Sequence, residues 1–445
     1  MNSEEDKDNS LIPFSEDAET ERESEIPPWR YVIIVLATSV SAIGLSCSFA
    51  FNFALVCKVN STVDTFEIYQ RDPSSSPVMY FSAMETSMLY SSYPLGHFCM
   101  LIIMMVFGGL SYVRWSIFIS CLISSITTIL VPPLYDWNPH TTLVLKILQG
   151  AAVAPNVPLV GHVTAYWTSK SERGMFISLL TSYSQVGLFF LMSTSGVICD
   201  WLSWRGIFYF NGLVSLFTSV FWVTLFRDYP FQLSRSSNYK GCHSMYFRSV
   251  ISESPEYSTK QFPYRAFFTS LSVWSCLIAA FGNFGGISVF MTFGPLILKK
   301  ALHMTDFAAS QYNTISFILQ LIFKLVSGKL SDLWIWLSES NKARIFNSLS
   351  LGLAGLLAIC TSFVPVQQQV VCASLLTLLQ GVIGFNAAGY NKAAIIIARQ
   401  HAHLLFTCFG LILTFVTLLQ PFIETRPCSD VKLIELVSTK EEYQT

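Results

Sequence analysis

Eleven times along this chain a run of about twenty or more mainly apolar residues appears, at roughly 31–57, 80–108, 113–134, 141–166, 174–198, 205–226, 267–298, 309–331, 344–364, 368–390 and 402–423. An α-helix needs about 20 such residues to cross the hydrocarbon of a bilayer. Within hydrocarbon every backbone N–H and C=O must find a partner in the chain, and a helix supplies them all. Composition agrees: 52% of the 445 residues are hydrophobic and 12% are charged, half the charged share of about 25% found in soluble domains. The expected fold class is an all-α multi-pass membrane protein, with the lipid bilayer as its first partner.

The polar remainder sets the topology. Residues 1–29 form an acidic tail whose first 26 positions carry ten carboxylates. Such a segment buries too little apolar surface to fold alone and is expected to be disordered and cytosolic. It lacks the basic start and apolar centre of a signal peptide, so the first span is expected to act as the import signal. With the N-terminus in the cytosol, fourteen Lys and Arg fall in inner loops and five in outer loops (Lys58, Arg71, Arg205, Lys299 and Lys300), which is the positive-inside bias. The sequon Asn60-Ser61-Thr62 then lies in the first outer loop, making Asn60 the candidate glycosylation site. The eleven cysteines include no CxxC pair and mostly sit in apolar runs, where cysteine is a small buried residue. No disulfide framework is expected.

A long polar connection, 227–266, divides the chain into a bundle over 30–226 (spans 1–6) and a bundle over 267–423 (spans 7–11), followed by a polar tail over 424–445. The tripeptide "LQG" occurs at 148–150 and again at 379–381, in the fourth span of each part. Weak internal repetition of this kind is the mark of carriers built from two pseudo-symmetric halves, with substrate held between them near the midplane.

Four stretches then carry a family resemblance: "GKLSD" (328–332) followed by "NKARIFNSLS" (341–350), "SYSQVGLFFLMSTSGVICDWLSWRGIFYFNG" (182–212), "FRDYP" (226–230) and "FPYRAFFTSLSVWS" (262–275). In this order and spacing they resemble the major facilitator superfamily. More narrowly they resemble its anion/cation symporter branch, which includes sialin, the vesicular glutamate carriers and the sodium–phosphate cotransporters. The resemblance covers about residues 31–415. It implies a major facilitator fold of two six-helix halves, hence twelve spans, so a final helix is expected to be missing and the C-terminus to lie on the non-cytosolic side. It also implies that Gly328, Asp332, Lys342 and Arg344 form a gating cluster, with Asp332 pairing to Lys342 or Arg344 across a short loop. The plainer alternative is an ordinary solvated loop. The equivalent first-half loop, "GGLSYVRWS" (108–116), has no carboxylate.

Departures from the branch shape the expected site. Its fourth span reads Arg, Gly four later, Glu seven later and Pro twelve later; here those places hold Lys146, Gly150, Val153 and Pro158. Aligning on Asn52 puts Ala50 where the branch carries an Arg in its first span. Without the titratable Glu, transport is expected to depend only weakly on a proton gradient.

Lys146 itself has two readings. It lies about five residues, roughly 7 Å, below the outer boundary and can snorkel. Alternatively, Lys146, Gln149, Val153 and Asn156 share one helical face, a polar stripe that belongs against a cavity, where the lysine would hold a negative group. Candidate substrate-binding residues are therefore Lys146, Gln149 and Asn156, joined by Asn283 in the glycine-rich "FGNFGGISVF" (281–290). His97, beside Pro94 and Gly96, is either a pH sensor or a histidine hydrogen-bonded inside the bundle. Lys324, one turn before the cytosolic end of its span, is expected to snorkel to the interface. His401 and His403 are too little for a metal site; no metal and no cofactor are expected.

The chain has no Walker A loop, GxSxG or HExxH, so an enzyme is not expected. Two functions compete: a secondary active or facilitative transporter of a small organic or inorganic anion, and a non-transporting sensor or regulator on the same scaffold. For the transporter, a proton or sodium would be the coupling ion. The expected location is the plasma membrane or a lysosomal or vesicular membrane.

Overall fold

The computed structural model of the protein describes residues 29–71, 83–106, 112–168, 172–227 and 264–421, less gaps of one or two residues at turns. The acidic tail, the connection over 228–263 and the residues after 421 lie outside the described residues. Among those described, eleven helical segments are long and apolar enough to cross a membrane. We number them spans 1–11: Arg30–Phe51, Ser87–Val106, Val113–Trp137, Thr141–Trp167, Arg173–Cys199, Trp201–Leu225, Leu271–Val289, Gln311–Leu333, Glu339–Phe363, Gln369–Ala398 and Ala402–Pro421. No strand occurs among the described residues.

Each helix forms because its sequence is apolar almost all round, as lipid and neighbouring helices both demand. Many of the polar side chains that remain are buried against other helices. Ser46 donates to Asn211 Oδ1 at 2.6 Å, tying span 1 to span 6. Ser125 donates to the Gly212 carbonyl at 2.6 Å, tying span 3 to span 6. The spans alternate direction, so one face of the bundle carries the start of span 1, here called the near face. The opposite, far face carries Asp136, paired with Arg205 at 3.0 Å. Spans 5 and 6 read as one helix interrupted at Ser203, whose φ of 65° marks the far-face turn.

Two expectations change. The first helix runs on as Arg30–Arg71 rather than ending in a loop, so Asn60 lies on a helical segment; its side chain is outside the described residues. Cys199, at the far end of span 5, is disulfide-bonded, a bridge that the expectation of no disulfide framework did not include; its partner lies outside the described residues.

The repeat has a physical basis, displaced by one turn. Gly150 in span 4 packs so tightly on span 2 that a Cβ there would overlap the Tyr93 carbonyl and lie 2.9 Å from His97 N. Gly384 in span 10 does the same to span 8: a Cβ would overlap the Gln320 carbonyl and lie 3.1 Å from Lys324 N. Small residues permit this close crossing of helices. Gly150 therefore corresponds to Gly384, three residues beyond the second "LQG". By the same geometry, His97 corresponds to Lys324.

The two fourth spans are also interrupted alike. Span 4 consists of helices Thr141–Val153 and Asn156–Trp167 with Ala154-Pro155 between them. Proline removes one N–H from the ladder at that point. Span 10 consists of Gln369–Val382, a 3₁₀ turn over Ile383–Ala387, and Tyr390–Ala398.

Candidate functional site

A cavity of about 150 Å³ lies between the halves, lined by His97, Lys146 and Asn156 on one side and Lys324, Asn386 and Tyr390 on the other. Among the described residues no aspartate or glutamate lines it. Span 4 presents Lys146 because Gly150 draws the helix onto span 2 and the polar stripe turns inward. Lys146 is 3% exposed. Its Nζ sits 4.7 Å from the centre of the Phe51 ring, a cation–π contact with span 1. The snorkelling reading of Lys146 does not match this burial.

Asn156, beyond the break in span 4, also faces the cavity, and neither of its side-chain polar atoms has a hydrogen-bond partner. His97 stacks edge-on to Tyr93 at 5.7 Å, and its Nε2 is likewise without a partner. Buried polar atoms are nearly always satisfied, so orphans that line a cavity mark places for water or ligand. Gln149 turns elsewhere. Its Nε2 donates to the Cys47 carbonyl at 3.1 Å and to Thr128 Oγ1 at 2.7 Å, joining spans 1, 3 and 4. It does not line the cavity. Asn283 is also one layer back. Its Oδ1 accepts from Asn386 Nδ2 at 2.9 Å and from Tyr390 OH at 3.1 Å, so it positions two cavity residues without lining the cavity itself.

Lys324 overturns its expected role. It does not snorkel: it is 3% exposed, lines the cavity and reaches across to span 5. Its Nζ donates to the Thr181 carbonyl at 2.9 Å and to Gln185 Oε1 at 3.2 Å. Gln185 in turn donates to Gln320 Oε1 at 2.8 Å. Depth along the helix is visible in sequence, but the direction of the side chain is not.

At the near face the halves are pressed together. Asp332, at the end of span 8, accepts from the backbone N–H groups of Gly174 at 2.9 Å and Met175 at 2.8 Å. These are the free N–H groups at the positive end of span 5, where a carboxylate is favoured. The expected pairing of Asp332 with Lys342 or Arg344 is not found. Lys392 of span 10 holds Asp332 at 3.1 Å and also reaches Glu339 at 3.2 Å. Lys342 pairs with Glu339 at 2.6 Å, one turn along its own helix, and Arg344 is exposed. Gly328 does take part: a Cβ there would lie 2.6 Å from the Gly174 carbonyl and overlap Ser178 Oγ. Gly161 of span 4 meets span 11 as closely, 2.6 Å from His403 N. His401 and His403 belong to no metal-binding group among the described residues.

Helical halves enclosing a cavity with two buried lysines in its wall, closed by tight contacts at one face, define an integral membrane protein of the carrier type. Residues 30–422 match the sequence profile of the Major Facilitator Superfamily, and the chain belongs to that superfamily. Among curated relatives it is 24% identical to sodium-dependent phosphate transport protein 1 of Rattus norvegicus over 384 residues, 84% of this chain and 81% of the relative. It is 24% identical to sodium-dependent phosphate transport protein 3 of Homo sapiens over 78% of this chain and 77% of the relative. Human sialin is 23% identical over 66% of this chain and 59% of sialin. Among solved structures, the proton:xylose symporter XylE bound to 6-bromo-6-deoxy-D-glucose superposes with a TM-score of 0.61 at 15% identity, covering 88% of this chain and 89% of that one. That likeness concerns the fold.

Proposed function

We propose that the protein is a secondary transporter of a small organic or inorganic anion that works by alternating access. The observation that carries this reading is the cavity between the halves, where buried Lys146 is aimed inward and no carboxylate among the described residues offsets it. An ammonium in a low-dielectric pocket is stabilised by an anion more than by any neutral ligand. Orphaned Asn156 and His97 supply polar atoms beside it, and Asn283 holds the opposite wall. The curated relatives supply the panel of substrates to test: phosphate, sialic acid and urate, the last from the probable small intestine urate exporter of Mus musculus.

In this reading the near face is cytosolic. The Lys and Arg bias of the loops supports that side, and so does the disulfide at Cys199 on the far face, since disulfides persist in oxidising compartments. Asp332 on the start of span 5 is the latch that closes the cytosolic side, with Gly328 permitting the approach and Lys392 steadying the carboxylate.

The test is uptake by purified protein in liposomes, with radiolabelled phosphate, urate and sialic acid, with and without an imposed pH gradient. Lys146→Arg is expected to keep most binding. Lys146→Gln is expected to weaken it by more than the roughly 1 kcal/mol of a surface pair, and Lys146→Glu to abolish it. Normal transport by a folded Lys146→Gln variant refutes the site. Anion binding without uptake by the wild type favours a sensor on the same scaffold.

A further inference from the structure

The cavity's charge is one-sided, and that restricts how the carrier can cycle. Lys146 enters from the first half and Lys324 from the second, each 3% exposed. Among the described residues, the Lys146 ammonium meets the face of Phe51. Lys324 is held by two neutral oxygens, those of Thr181 and Gln185, which leaves its third N–H free. The four carboxylates whose side chains are described are engaged elsewhere: Asp136 with Arg205, Glu172 with Arg30, and Asp332 and Glu339 with Lys392. None faces the cavity.

A buried cation without a counter-charge is heavily penalised in a low dielectric. While one face is open, water carries that burden. When both faces close around an empty site, the two ammonium groups must bear that penalty or first shed protons to water. An anion between the two lysines removes the penalty without deprotonation, so the loaded form occludes more readily than the empty form. Lys324 adds a second element, because its bonds to span 5 cross between the halves and must break for the near face to open. Neutral oxygens hold that ammonium less strongly than an anion would, so a bound anion favours release.

We propose that the protein is an anion exchanger whose cavity takes a doubly charged anion, with Lys324 joining Lys146 as a substrate-contacting residue. This rests on the transporter reading above. The loaded carrier crosses readily; the empty one crosses slowly.

The test uses purified full-length protein in liposomes that are empty or loaded with unlabelled anion. External radiolabelled inorganic phosphate, at about pH 8 where it is mainly the dianion, serves as the doubly charged probe, and radiolabelled urate as the singly charged one. Initial phosphate uptake is expected to be at least about tenfold faster into phosphate-loaded vesicles than into empty ones, the ratio set by 1.4 kcal/mol in a barrier. Lys324→Gln is expected to raise the KM for phosphate at least about tenfold by the same conversion. Val153→Glu places a carboxylate on the cavity wall two turns from Lys146. That internal counter-charge is expected to raise uptake into empty vesicles and bring the loaded-to-empty ratio toward one. The wild-type ratio stands as a test even if that variant fails to fold. Equal phosphate uptake into loaded and empty vesicles overturns exchange while leaving transport intact. Exchange of urate but not phosphate overturns the doubly charged substrate, and an unchanged KM in Lys324→Gln overturns its role. No uptake of any anion under either condition overturns the transporter reading itself.

Discussion

Replacing Asp332 by Asn should open the near face, and the size of the effect can be worked out from its contacts. Asp332 accepts two charge-assisted bonds from span 5, at 2.9 and 2.8 Å, and these cross between the halves. Its ion pair with Lys392 does not cross; both residues belong to the second half and move together. Only the crossing bonds bias the equilibrium between closed and open. Two hydrogen bonds to a charged group are worth about 1.5–3 kcal/mol each, and a neutral Asn oxygen can keep one at about 1 kcal/mol. The closed face should therefore lose roughly 2–5 kcal/mol, a shift of about 30- to 5,000-fold toward open. Ser178 reports on it, since it is fully buried where spans 5 and 8 meet, with a Cβ at Gly328 overlapping its Oγ. In a Ser178→Cys background, the rate of labelling by a membrane-impermeant maleimide from the near side should rise on adding Asp332→Asn. The same protein without the added cysteine sets the baseline. Adding Lys342→Gln instead should leave labelling unchanged, because Lys342 pairs with Glu339 inside its own half. Unchanged labelling in a folded Asp332→Asn variant refutes the latch.

Two further outcomes concern stability. Gly150→Ala and Gly384→Ala each push a methyl group into the backbone of the facing helix; thermal unfolding in detergent should show losses of about 1–3 kcal/mol, while Gly285→Ala, with open space at that point, should show almost none. Asn283→Ala removes the acceptor for both Asn386 Nδ2 and Tyr390 OH, and the same assay should show a loss of roughly 2–4 kcal/mol for two stranded buried donors.

What could be read from residues alone follows from which property each residue expresses. The eleven spans were legible because lipid imposes composition over twenty consecutive positions, and short-range pattern is enough to detect that. Lys146 was legible as a cavity residue because its helical neighbours at 153 and 156 reinforce one face. Gln149, on the same stripe, was not separable from them, since a turn of some tens of degrees sends it to Cys47 and Thr128 instead. Lys324 was misread because its position along the span fixes depth but not direction. Asp332 found Lys392, sixty residues on, rather than the nearby Lys342. Such a partner depends on how span 10 packs beside span 8, which nothing local in the sequence encodes. The tripeptide repeat marked the right helices yet missed the corresponding glycine by one turn, because the contact geometry rather than the letters defines the match.

The interruptions in spans 4 and 10 have a mechanical consequence. A continuous helix transmits displacement from end to end like a rod, whereas one broken near its middle behaves as two short levers on a hinge. In span 4 the far lever carries Lys146 and is clamped to span 2 through Gly150, while the near lever carries Gly161 and bears on span 11. Span 10 repeats the plan, with Gly381 on its far lever against Leu319, and Lys392 on its near lever beside Asp332. Strain released at the near face can thus be absorbed at Ala154-Pro155 and at Ile383–Ala387 before it reaches the lysine. Under the transporter reading, the near face can move while Lys146 keeps its place.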